Sequence, residues 1–233
     1  FELYDTYGFP VDLTRLIASE NALQVDEAGF ENEMQQQKNR SRAATAIDAA
    51  DWIIVNDNEH QTFVGYTDKV CTTTVTKYRK VTSKGNTGYQ IVLETTPFYA
   101  ESGGQVGDKG QLTFEDGTVL AVTDTKKENN LFIHFTDSLP ATIGNTVKAT
   151  VDNSLRAHTT QHHSATHLLH AALRTVLGKH VAQKGSLVHA EQLRFDFSHF
   201  AKMTNEEIEA VAKLVNEKVK ENVPVVIKEM SKD

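Results

Sequence analysis

The apolar positions change period twice along the chain. Behind Pro10, which a first helical turn tolerates because its missing N–H would be unpaired there anyway, Val11, Leu13, Leu16, Ile17 and Leu23 recur at helical spacing. The spacing predicts a helix over 11–23. Asp26 is a natural N-cap for a second, Glu27–Ile47, whose Phe30, Met34, Ala44 and Ile47 form a thin buried stripe beside the polar run Gln35–Arg42. Lys38, Arg40 and Arg42 on that run read as a solvated face or as an RNA contact.

From about Trp52 the period shortens from 3.6 to 2. Val70–Val81, Tyr89–Thr96, Gln111–Glu115, Thr118–Asp124, Leu131–Phe135 and Thr146–Val151 alternate apolar and polar residues between turns at Lys84-Gly85-Asn86, Asp116-Gly117 and Glu128-Asn129-Asn130. Short alternating strands with tight turns predict an antiparallel barrel or sandwich. Near Asp152 helical spacing returns. Leu168, Leu169, Ala172, Leu173, Val176 and Leu177 make an apolar helix that Gly178 would cap. Val181–Val188 and Leu193–Phe197 read as strands. Asn205–Glu221 reads as a helix behind Thr204, and Val223–Lys228 as a last strand, giving an α/β layer.

Composition sets the class. With 233 residues, 39% of them hydrophobic and 24% charged, the chain can bury a real core and is long enough for two domains. No apolar run approaches the ~20 residues of a membrane span. A single cysteine, Cys71, excludes an internal disulfide framework and any two-cysteine metal knuckle, so the expected address is a reducing, cytoplasmic one. The net charge of −7 argues against a surface wholly devoted to nucleic acid. Only the last third is slightly basic, with 11 Lys/Arg against 10 Asp/Glu over 152–233, and it holds eight of the ten histidines. Because histidine is the common metal ligand and proton shuttle, chemistry is expected there. The ends, Phe1-Glu2-Leu3-Tyr4 and Met230-Ser231-Lys232-Asp233, suggest a piece of a longer protein.

His163 and His167 stand four apart, so both imidazoles leave one helix face about a turn apart, which is metal-ligand geometry. The same spacing suits two structural histidines with hydrogen-bonded rings. A zinc-protease motif would follow the first histidine with a general-base glutamate. Ser164 stands there instead, and peptide hydrolysis loses its base. Zinc wants three or four protein ligands. His162 points about 100° away, which leaves His170 as the one local third candidate. The segment Thr96–Asp108 holds Gly103, Gly104 and Gln105, where glycines permit close backbone approach. It reads as a pocket mouth, an RNA-backbone contact or a barrel corner, and its spacing is not that of a dinucleotide loop. Gln183-Lys184-Gly185-Ser186 offers a carboxamide that can both donate to and accept from a small polar substrate. The aromatics of Leu193–Phe197 and the thiol of Cys71 read as core.

Five segments in order, Leu3–Thr14 (LYDTYGFPVDLT), Thr96–Asp108 (TPFYAESGGQVGD), His163–Leu173 (HSATHLLHAAL), Gln183–Val188 (QKGSLV) and Leu193–His199 (LRFDFSH), resemble the alanyl-tRNA synthetase family over nearly the whole chain. The fold this implies is α+β: N-terminal helices, an antiparallel β-barrel lobe, then an α/β lobe with a histidine-bearing helix packed on a sheet. Residues 1–47 would close a helical tRNA-recognition region, 48–151 would be the barrel lobe of an editing domain, and 152–233 its α/β lobe, cut before its end. The resemblance implies an enzyme that joins alanine to tRNA(Ala) with ATP and Mg2+ and hydrolyses Ser- and Gly-tRNA(Ala) in a zinc-dependent editing domain.

By the same resemblance His163 and His167 match two zinc ligands and Gln183 lines the editing pocket, while no catalytic residue is assigned. The family's other ligands, a Cys and a His, would lie beyond Asp233, and neither Cys71 nor His199 matches them. This piece would then carry half a zinc site, no ATP site and little activity of its own, with homo-oligomerisation open in the whole protein. Two other readings stand beside it: a free-standing deacylase of mischarged tRNA, and a module that docks an acceptor stem without chemistry.

Overall fold

The computed structural model of the chain describes residues 1–44, 48–58, 60–83, 85–144 and 146–226, with the side chains of 40–44 and 48 left aside. Ile47, Lys84, Ile227 and Lys228, together with the side chains of Arg40, Arg42 and Ala44, therefore lie outside the described residues. The chain forms two compact units, one of 1–49 with 81–87 and one of 50–80 with 88–233.

In the first unit, α1 (Glu2–Asp5), α2 (Val11–Glu20) and α3 (Glu27–Ala44) follow one another, and β1 (Asp48–Ala49) pairs with 81–82. Pro10 sits one residue earlier than expected, as the N-cap of α2. The helix stops at Glu20 because Ala22 turns to a φ of 55°. Asp26 caps α3 by accepting from Gly29 N at 2.8 Å, and the rings of Phe1, Tyr4 and Phe30 pack together.

The second unit is built on β2 (Ile53–Ile54), β3 (Thr62–Phe63), the greater part of β4 (Val70–Ser83) and of β5 (Asn86–Leu93), β6 (Thr95–Thr96), β7 (Gly110–Phe114), β8 (Val119–Val122), β9 (Asp124–Glu128), β10 (Leu131–Thr136) and β11 (Thr146–Val151). The main sheet runs β8-β7-β11-β4-β5-β10-β9, antiparallel throughout. Its two end strands are consecutive in the chain, separated only by Thr123, whose N–H donates to Phe135 O at 2.9 Å. The order therefore closes on itself, and the barrel alternative holds over the sandwich. Inward residues Val75, Ile91, Leu93, Phe98, Leu112, Phe114, Leu120, Val122, Val147, Ala149 and Val151 fill it. Strand β9 goes beyond the sequence expectation. All five of its residues are polar or charged and only Thr125 is buried, so no apolar alternation marks it.

Beyond the barrel, α4 (Asn153–Leu177) begins at Asp152, whose carboxylate accepts from Leu155 N at 3.0 Å, and ends at Gly178 with a φ of 113°. Strands β12 (Gln183–Val188) and β13 (Leu193–Phe197) form an antiparallel pair, followed by α5 (Asn205–Lys220) with a complete capping box between Thr204 and Glu207. Ala172, Leu173, Val181 and Val211 make a second core that takes in Phe195 and Phe197, so those aromatics are indeed core. The expected last strand does not form over 223–226. Val223, Val225 and Val226 are exposed there, because no described strand offers their backbone a ladder partner. No described helix is long and apolar enough to cross a membrane.

Candidate functional site

The site is assembled by one face of α4 and the loop that leads from β6 to β7. Arg156, Thr159, His163 and His167 recur at three- and four-residue spacing and so share that face. Arg156 is buried with Asp108, the side chains being 8% and 5% exposed. Its Nε donates to both carboxylate oxygens at 2.8 and 2.9 Å, Nη2 donates to Oδ2 as well, and Nη1 reaches Gly65 O at 3.0 Å. Asp108 also accepts from Tyr99 N at 2.9 Å. The same guanidinium, after burial itself, helps hold the Lys69 ammonium below its ordinary pKa.

Two turns along, His163 Nδ1 lies 2.8 Å from Gln105 Oε1. Seven helical residues advance ~10.5 Å, and the three steps from Gln105 to Asp108 can span at most ~10 Å, so the loop runs alongside the helix and is gripped at both ends. On its other side the loop is joined to β12: Val188 N donates to Gly104 O at 2.7 Å and Val106 N to Val188 O at 3.0 Å. Gly104 has a φ of 85°, and a Cβ there would overlap Ser186 Oγ and stand 2.7 Å from the Ser186 carbonyl oxygen. Ser186 Oγ in turn accepts from Gln183 Nε2 at 3.1 Å. Gly104, Gln105, Gln183 and His163, read from three separate stretches of sequence, thus form one contiguous set of contacts.

The rings of His163 and His167 lie 5.1 Å apart at 33°, the first half-buried and the second exposed. Burial, and then the neighbouring His167, lower the pKa of His163 and favour a neutral ring. His162 turns away, as its helical angle requires, and Nδ1–H donates to His189 O at 2.7 Å. His170 does not join the pair. Its ring packs on Phe195, and its buried Nε2 has no hydrogen-bond partner among the described residues. His180 Nε2 and His199 Nδ1 meet at 2.9 Å elsewhere, stacked with Phe200. Among the described residues no group of three or more His, Cys, Asp or Glu could hold a metal, so the donors at hand fit two positions of a zinc shell and no more. A recess lined by Asn56, Asp57, Gln61, Thr76 and Lys77 on the barrel flank includes none of these site residues.

Two polar devices escape the sequence reading. One is the Arg156–Asp108 pair. The other is His134 inside the barrel, whose Nδ1 meets Ile91 O at 3.0 Å and whose Nε2 meets Thr96 Oγ1 at 2.7 Å. The Ile91 carbonyl can only accept, so Nδ1–H donates to it, and the unprotonated Nε2 accepts from the Thr96 hydroxyl, which itself accepts from Phe98 N. Complete burial holds this neutral ring at a pKa of about 4. Cys71 is half-buried and its thiol is pushed up by burial, in keeping with a structural role.

With this geometry in view, the chain belongs to the class II (A) tRNA synthetase family, whose model matches residues 1–155. Within it, the chain is 55% identical over 223 residues to the alanine–tRNA ligase of Cytophaga hutchinsonii, covering 96% of this chain and 25% of that protein. It is 54% identical over 224 residues to the alanine–tRNA ligase of Christiangramia forsetii (96% and 26%), and 55% identical over 225 residues to that of Bacteroides fragilis (97% and 26%). The chain thus spans about a quarter of the length of the relatives it matches.

Proposed function

We propose that this chain is the part of an alanine–tRNA ligase that removes misplaced amino acids from tRNA(Ala), within a cytoplasmic enzyme whose remaining length binds ATP and Mg2+ and attaches alanine. The observation that carries the reading is the convergence of His163 and His167 with Gln105, Gly104 and the Gln183–Ser186 pair beside one helix face.

The need for such a site follows from magnitudes. An alanine pocket rejects glycine only by the ~1–3 kcal/mol of one methyl group, and a small pocket rejects an added hydroxyl weakly. A second, hydrolytic site supplies the remaining discrimination. Cleaving the ester that joins serine or glycine to tRNA requires a water aligned on the carbonyl and donors for the oxyanion that forms. The Gln183 carboxamide can both donate to and accept from a small polar amino acid, and so can orient it. His163 and His167 would hold two positions of a zinc shell, its other ligands coming from residues outside this chain. Bound there, zinc would supply an acidified water or a grip on the substrate amino group.

The test uses the whole ligase with His163→Ala. Hydrolysis of Ser-tRNA(Ala) and the zinc content should both fall while alanine attachment persists. Unchanged hydrolysis would overturn the reading.

A further inference from the structure

Gln105 is held more tightly than bordering a pocket requires. It is 7% exposed. Its backbone exchanges hydrogen bonds with Ser102 at 3.0 and 3.1 Å across Gly103 and Gly104, whose φ angles are 59° and 85°. The flanking bonds between Gly104, Val106 and Val188 fix the peptide planes on either side. The side chain therefore meets α4 from one direction, with Oε1 2.8 Å from His163 Nδ1.

A carboxamide oxygen only accepts, so this contact requires the proton on Nδ1. A free imidazole prefers to carry it on Nε2. Gln105 thus selects the less favoured tautomer and leaves the Nε2 lone pair of His163 free. Its neighbour His167 stands one turn on, with ring centroids 5.1 Å apart. Donors that present imidazole lone pairs to a cation are held in this way, by an acceptor on the opposite ring nitrogen.

We propose that Gln105 is a positioning residue. By accepting from Nδ1–H it fixes the tautomer and ring orientation of His163, so that Nε2 is offered, beside His167, to a divalent cation. The identity of the cation rests on the function proposed above. The tautomer control does not.

Long-range proton–nitrogen NMR of the labelled 233-residue chain, at mildly alkaline pH where imidazoles are neutral, reads the tautomer directly, with His163 assigned from its absence in His163→Gln. The expected result is Nδ1–H in the wild-type chain and in Gln105→Glu, which keeps an acceptor. Gln105→Met, similar in length but without one, should shift His163 to Nε2–H. The Val106 and Val188 amide signals report whether the loop stays seated. If they move in the methionine variant, the wild-type and glutamate spectra decide alone. In the whole ligase, competition with a chromophoric chelator for zinc should show affinity falling ~10–100-fold in Gln105→Met, as loss of such an outer partner does elsewhere. Nδ1–H held by Gln105, together with a whole ligase that binds no zinc, would sustain the positioning role and remove the metal from the function. Nε2–H in the wild type, or an unaltered Nδ1–H in a correctly seated methionine variant, would overturn the proposal whatever zinc does.

Discussion

Replacing Asp108 by alanine removes the carboxylate that faces a buried guanidinium. Arg156 would keep two weaker partners, Gly65 O at 3.0 Å and Pro97 O at 3.4 Å, while Tyr99 N–H would lose its acceptor. Breaking one side of a buried pair costs about 3–5 kcal/mol, because the surviving charge stays out of water. The orphaned N–H alone would cost ~1–3 kcal/mol, and since the two losses share one carboxylate they do not simply add. We therefore expect a loss of about 4 kcal/mol for Asp108→Ala. Urea unfolding read through Trp52, the one tryptophan of the chain and a member of the same compact unit, measures it. The double variant Asp108→Leu/Arg156→Met, which removes both charges and keeps apolar volume, should recover most of the loss. A single variant costing under about 1 kcal/mol, or a double variant no better than the single, would show that the pair is not buried as described.

Three further outcomes follow from the same geometry. Gly104→Ala must adopt a φ of 85° and displace Ser186, whereas Gly117→Ala shares that φ in open space, so the first should exceed the second by about 1 kcal/mol or more in the same unfolding assay. His134, held neutral with a pKa of about 4, binds its proton more readily unfolded. Its contribution is full above pH 6.5 and is lost as pH falls toward 4, some ~3 kcal/mol in all. Comparing stability at several pH values in His134→Gln should show a shallower acid loss, and an identical slope would contradict it. Thr204→Ala removes the side-chain acceptor for Glu207 N in the capping box of α5 and should lower stability by about 1 kcal/mol, seen as a lower melting temperature.

How far the residues alone disclose the fold depends on range. The paired histidines at 163 and 167 are legible because helical spacing is local, and β4, β7, β10 and β11 because alternation is. Strand β9 is not, since a strand made wholly of polar and charged residues carries no apolar rhythm and is defined only by its neighbour β10. Residues 223–226 err the other way: their valines suit a strand, yet extended chain needs a ladder partner and finds none among the described residues. The contacts of Gln105 with His163 and of Asp108 with Arg156 cross 58 and 48 residues, and the pairing of β7 with β11, Gly110 opposite Val151, brings them together. The glycine pair hints at a close approach there without saying to what.

The double grip of helix α4 on residues 105–108 works like a ruler. Dropping one residue between those two anchor points would shorten the span by ~3.4 Å, and no rotation of a rigid helix recovers that distance. Length changes should be absorbed at the open Asp116-Gly117 hairpin tip, while between Gln105 and Asp108 even a single deletion would force the chain to give up one anchor: the buried charge or the oriented imidazole.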